Sequence, residues 1–114
     1  MRASKANVTP AARARSAIAL RSALAALKSL ERLDIRAWVI GSLAKGSFRE
    51  HSDVDFLVDC PYEREYEAFR AIERAMGDFP FDMVPCQRLK PDAAPYMIAG
   101  ALDASDLLAR QEET

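Results

Sequence analysis

Two aspartates one residue apart, Asp53 and Asp55, break an otherwise apolar run at "SDVDFLVD". Side chains of a strand alternate between its two faces. Val54, Phe56 and Val58 therefore share one face and pack a core, while Asp53, Asp55 and Leu57 share the other. Two carboxylates on one face repel each other unless a cation sits between them. Oxygen ligands of this kind suit Mg²⁺, which completes its shell with water and substrate phosphates. Taken alone, a D-x-D pair also occurs at the solvated edges of many sheets, so the neighbouring elements have to decide its meaning.

Those elements alternate. Thr9 is placed to cap a helix, Pro10 suits its first position, and Leu20, Leu24, Leu27 and Leu30 recur at spacings of three and four to about Arg32. "IRAWVIGS" predicts a short strand ended by Gly41, with a turn and a single helical turn after it. "YEREYEAFRAIERAM" predicts a second helix with Tyr62, Tyr66, Phe69, Ile72 and Met76 on one face and Gly77 as its stop. "FPFDMVPC" predicts a third strand, bounded by Pro80 and Pro85. Beyond Pro91, one or two short helices are expected, broken near Gly100. The chain of 114 residues suits one domain, expected over residues 9–114 after a loose tail at 1–8. Helices alternating with strands predict an α+β or α/β-type layer on a small sheet.

Charge is unevenly spread. Residues 1–36 carry eight Lys/Arg against two Asp/Glu, a balance of +6, and residues 37–114 carry eight against fifteen, a balance of −7. A basic first helix could meet an acidic partner or a nucleotide, or the two halves could simply complement each other in the fold. Cys60 and Cys86 make no disulfide framework and read as reduced, small core residues of a cytoplasmic protein. No apolar run approaches the roughly 18 residues that span a bilayer. The Arg- and Ala-rich start superficially matches a transit peptide, but its apolar spacing continues into the next element, as expected of a helix of the mature domain. An acidic second half argues against direct nucleic-acid binding.

The third strand gives the D-x-D pair its context. Asp82 stands inside the apolar "FDMV", where it is costly unless paired or metal-bound. If the strands are neighbours, Asp53, Asp55 and Asp82 can hold two divalent ions about 4 Å apart. One ion would activate an attacking oxygen, and the other would hold phosphates and the leaving pyrophosphate. Gly41 would let a phosphate approach the backbone closely. The Ser42 hydroxyl and the following N–H groups could donate to its oxygens, and Lys45 and Arg49 would add positive charge. Asp82 is also the candidate general base. His51, the only histidine, reads as a solvated loop residue.

"GS", ten residues, "DVD" and then a separate "FDMV" together resemble the signature of the nucleotidyltransferase superfamily that includes DNA polymerase β. More narrowly, the chain resembles the minimal nucleotidyltransferases, the antitoxin partners of HEPN-domain toxins, over about residues 35–108. On this resemblance Gly41 and Ser42 match the phosphate-binding pair, Asp53 and Asp55 the metal ligands, and Asp82 the third carboxylate. Leu43 and Lys45 stand where the commoner "GSRARG" form has arginines. The resemblance implies a polymerase β palm-like α+β fold, a small mixed sheet with helices mainly on one side. It implies Mg²⁺-dependent transfer of AMP from ATP to a hydroxyl, in the best-described members a tyrosine of the toxin. Two other readings stand beside it. Transfer to a small molecule would need an extra domain for which this chain has no length. A non-catalytic antitoxin acting by contact would not need all three aspartates.

Overall fold

The first helix, α1 (Pro10–Arg32), forms where the leucine spacing predicts it. The Thr9 side chain accepts a hydrogen bond from the Ala12 N–H at 3.0 Å, and Pro10 occupies the first turn, where its missing N–H costs nothing. Ala19, Leu20, Ala23, Leu24, Ala26, Leu27 and Leu30 make a wide buried stripe. The helix stops in a Schellman turn. Asp34 takes the left-handed conformation (φ 62°), with its N–H on the Glu31 carbonyl and the Ile35 N–H on the Leu30 carbonyl. Asp fills a position that glycine usually takes, and buried Leu30 and Ile35 supply the apolar contact that accompanies the motif. These details come from a computed structural model that describes residues 9–112. The tail expected at 1–8 lies outside the described residues.

Three strands follow: β1 (Arg36–Ile40), β2 (Val54–Asp59) and β3 (Phe81–Pro85). Their order is β1-β2-β3, with β1 antiparallel to β2 and β3 parallel to it. The parallel pair needs a crossover, and α3 (Glu65–Met76) supplies it. Between β1 and β2 lies α2 (Gly41–Lys45), the single helical turn expected, closed by Gly46 at φ 78°. Two short helices end the described chain, α4 (Ala94–Ile98) and α5 (Ala104–Glu112), with Gly100 at φ 77° between them. A reciprocal cap starts α5: the Asp106 N–H donates to Asp103 and the Asp103 N–H donates to Asp106. Just before it, Leu102 exchanges both backbone hydrogen bonds with Val39 and covers part of the free edge of β1.

The α+β class and the small mixed sheet agree with the expectation, as does the alternation in β2. Val54, Phe56 and Val58 are fully buried in the core with Val39. Against that face pack α1 and α3, and α5 rests on α1. Each such large apolar side chain contributes roughly 1.5–3 kcal/mol on leaving water. Trp38, Ile40, Asp55, Leu57, Asp82 and Val84 occupy alternate positions and so take the other face.

One expected face needs correction. Tyr62 and Tyr66 are 74% and 70% exposed, and Phe69 is more than a third exposed. Tyr62 precedes α3, in a 3₁₀ turn over Tyr62–Arg64. The face of α3 that turns inward instead carries Glu65, Ala68, Ala71, Ile72 and Met76. Small alanines allow close approach to α1, and the aromatic side is left to water. Phe69 still reaches Phe81 (ring centroids 5.3 Å apart), which meets Phe56 edge-on at 6.2 Å. The buried Glu65 accepts from Gln87 and Arg88, each at 2.6 Å, and so ties the 3₁₀ turn after β3 to the start of α3. Cys60 is buried and Cys86 half-buried, and both are free. Burial pushes both thiols up in pKa, which keeps them protonated and unreactive.

Candidate active site

Ile40, Asp55 and Asp82 form a row across the sheet face away from the core. Ile40 is the partner of Asp55 in the antiparallel pairing, and Asp82 is its partner in the parallel one. The register alone thus sets two carboxylates on adjacent strands, a strand spacing of about 4.8 Å apart at the backbone. No hydrogen bond or ion pair engages either side chain among the described residues. Asp55 is half-buried and Asp82 exposed. Burial raises the Asp55 carboxyl above its ordinary pKa, and the negative charges of Asp82 and Asp53 push it the same way.

Gly41 faces Asp55 closely. A Cβ at position 41 would overlap the Asp55 Oδ2 and lie 3.2 Å from its Cγ. The backbone there has φ 76°, which L-residues other than glycine seldom adopt. Glycine is therefore required twice over, by conformation and by space.

Together these residues open onto a cleft of about 530 Å³. Gly41, Lys45, Asp55 and Asp82 are its polar lining, and Ile40, Met83, Val84, Tyr96 and Met97 its apolar lining. The structure therefore gathers four of the seven sequence-predicted site residues. Ser42, Arg49 and Asp53 do not line the cleft. Ser42 is half-buried in the first turn of α2. Arg49 is exposed; its N–H donates to the Ser52 hydroxyl at 2.8 Å and shapes the loop before β2. Asp53 is exposed one residue ahead of β2, near enough for its charge to act on Asp55. His51 is exposed in the same loop, as expected.

The three carboxylates do not close into a cage. Among the described residues no three His, Cys, Asp or Glu side chains are grouped so as to hold a metal ion unaided. The donor set nevertheless fits Mg²⁺, which is commonly held by one or two carboxylates with water and phosphate oxygens completing the octahedron. Asp55 and Asp82, with Asp53 beside them, offer that partial shell.

Sequence reasoning missed two arginines that brace the site. Arg110 of α5 donates to the carbonyls of Leu43 and Ala44, both at 3.0 Å, and so caps the end of α2. Arg15 belongs to the basic first helix α1, but it does not stand in solvent. It is half-buried, donates to the Ser52 carbonyl at 3.2 Å and lies 4.3 Å over the Phe79 ring. Phe79 in turn stacks on buried Phe48. Ser52 directly precedes Asp53, so this clamp fixes the approach to β2. The signal for Arg15 was present: it falls between Ala12 and Ala19 at the spacing of the buried stripe. Arg110 follows buried Leu107 by one helical turn, but nothing in the sequence names its acceptors.

The family described as nucleotidyltransferase domain matches the chain over residues 20–108. None of the curated proteins matches it. The matched span holds the whole sheet, α2 and every residue lining the cleft, and it covers well over half of the chain. This chain belongs to the nucleotidyltransferase domain family.

Proposed function

We propose that the chain is a minimal nucleotidyltransferase that transfers AMP from ATP to a hydroxyl, a tyrosine of a HEPN-type partner toxin, and thereby acts as an antitoxin. Family membership supports nucleotidyl transfer. The observation that carries the reading is the in-register pair of Asp55 and Asp82, engaged by no ion pair among the described residues and open to the cleft that Gly41 and Lys45 share. The HEPN partner and the tyrosine acceptor rest on the resemblance of the "GS…DVD…FDMV" pattern to the minimal members.

In this reading Asp53, Asp55 and Asp82 would hold a divalent cation, which when bound would offset the negative charge of the phosphates. Gly41 keeps the space beside the Asp55 carboxylate free of a side chain. Lys45 brings a positive charge to the phosphates; Ser42 and Arg49, outside the cleft lining, belong to the proposed phosphate-binding segment by sequence. Asp82 accepts the proton of the incoming hydroxyl. The hydroxyl oxygen bonds to the α-phosphorus as the link to the β-phosphate breaks and pyrophosphate leaves. Because β3 is an edge strand, Asp82 is accessible to an acceptor as large as a protein. No described helix is long and apolar enough to cross a membrane, and the proposed setting is the cytoplasm.

The test is to incubate the chain with ATP labelled at the α-phosphate, Mg²⁺ and the partner, and to locate label on the partner by mass spectrometry. A folded Asp82→Asn protein should transfer roughly 10²–10⁴-fold more slowly. Full neutralisation of the partner by that variant, with no label transferred, would replace the catalytic account with neutralisation by contact.

A further inference from the structure

Tyr96 is 77% exposed, more than any other large apolar residue described. It lines the cleft that holds Asp55 and Asp82. Its ring and hydroxyl have no partner among the described residues. A large aromatic left in water beside a polar site invites a flat ligand, since the ring can gain buried area and stacking at little cost in side-chain order. The cleft has a mixed lining. Gly41, Lys45, Asp55 and Asp82 give it polar character, and Ile40, Val84, Tyr96 and Met97 give it apolar surface. A nucleoside triphosphate combines the same two characters, anionic phosphates and an aromatic base.

We propose that Tyr96, backed by Met97, is the nucleobase-stacking residue of this cleft, an assignment that rests on the nucleotidyltransferase reading above. Helix α4 then carries the base subsite, outside the motif that supplies the carboxylates. Every base has a π-face, so stacking holds the nucleotide without naming its base. A stacked base commonly contributes about 1–3 kcal/mol, equivalent to a roughly five- to hundredfold change in affinity.

The experiment is titration calorimetry of ATP and of inorganic tripolyphosphate, both with Mg²⁺, on the parent, Tyr96→Ala and Tyr96→Phe proteins. Tripolyphosphate carries the charge without the base. Tyr96→Ala is expected to weaken ATP by roughly five- to a hundredfold and to leave tripolyphosphate unchanged, while Tyr96→Phe keeps the parent affinity for both. Because the side chain is so exposed, the substitutions leave the fold intact, which a melting curve verifies. Unchanged ATP affinity in Tyr96→Ala would overturn the subsite alone. Equal weakening of both ligands would also overturn it, since the ring would then be acting on the phosphate end. Failure of the parent to bind either ligand would overturn the nucleotide reading and the subsite with it.

Discussion

Gly41 is packed so closely on Asp55 that a single added methyl group would lie 3.2 Å from the carboxylate carbon and overlap one of its oxygens. Gly41→Ala therefore has two separable effects. The left-handed backbone costs about 1–2 kcal/mol in stability, whatever the neighbour does. The overlap forces the Asp55 carboxylate to rotate away and should weaken Mg²⁺-dependent nucleotide binding. Thermal melts and ATP titrations in the parent and in an Asp55→Ala background separate them: the stability loss persists in both, and no further binding loss appears in the second.

Arg110→Met keeps much of the side-chain volume but removes both donors to Leu43 and Ala44. Hydrogen bonds from a charged group contribute about 1.5–3 kcal/mol, so stability should fall by an amount in that range. The end of α2 would loosen with it. A rise in KM for ATP larger than any fall in kcat is the expected kinetic signature, with Arg110→Lys intermediate. Unchanged KM in a folded Arg110→Met protein would show that the cap has no bearing on the site.

Arg15→Met tests the clamp on the loop before β2. The lost ring contact contributes about 0.5–2 kcal/mol. The Arg15 Nε is buried without a hydrogen-bond partner, so its removal returns part of that. The hydrogen bond to the Ser52 carbonyl, from a charged donor, is lost as well, about 1.5–3 kcal/mol, so the net stability change should be about 1–4 kcal/mol. Amide exchange at Arg49 and Ser52 should nevertheless quicken, because their mutual turn loses its anchor on α1. Exchange at parent rates would contradict a positioning role.

Asp55 predicts a pH dependence of definite sign. Its folded pKa is raised above the ordinary 3.8, so between the two values the folded state binds more protons than the unfolded one. Its contribution to stability then falls as pH rises through that window. Below 3.8 both states are protonated and no penalty remains. In EDTA, Asp55→Asn should be more stable than the parent at neutral pH, with the gap closing as pH falls toward 3.8. A gap that widens in acid would refute the assigned cause.

Much of the fold was legible because the signals were local. Thr9 and Pro10 marked the start of α1, the alternation around Phe56 oriented β2, and Gly41, Gly77 and Gly100 marked breaks that the structure contains. What escaped was settled between elements. Tyr62, Tyr66 and Phe69 matched a helical face, but Ala68 and Ala71 win the contact with α1 because small side chains let the helices approach closely. The partnership of Asp55 with Asp82 was conditional on two strands being neighbours, which register and not sequence decides. The acceptors of Arg110 are backbone carbonyls, and a sequence does not display those. Tyr96 lies in a short helix with no motif, so only the shape of the cleft brings it to notice.

The central claim is that the Asp55–Asp82 row is a cation-dependent nucleotide site. Titration calorimetry of ATP with Mg²⁺ and again with EDTA, on the parent and on Asp55→Asn, tests it most directly. Without a cation, clustered carboxylates repel a triphosphate. The parent should therefore bind ATP at least roughly tenfold more tightly in Mg²⁺ than in EDTA, as a pKa-sized shift in interaction of about 1.4 kcal/mol implies. Asp55→Asn should lose that difference while keeping its fold. Equal ATP affinity for the parent in Mg²⁺ and in EDTA would contradict the account.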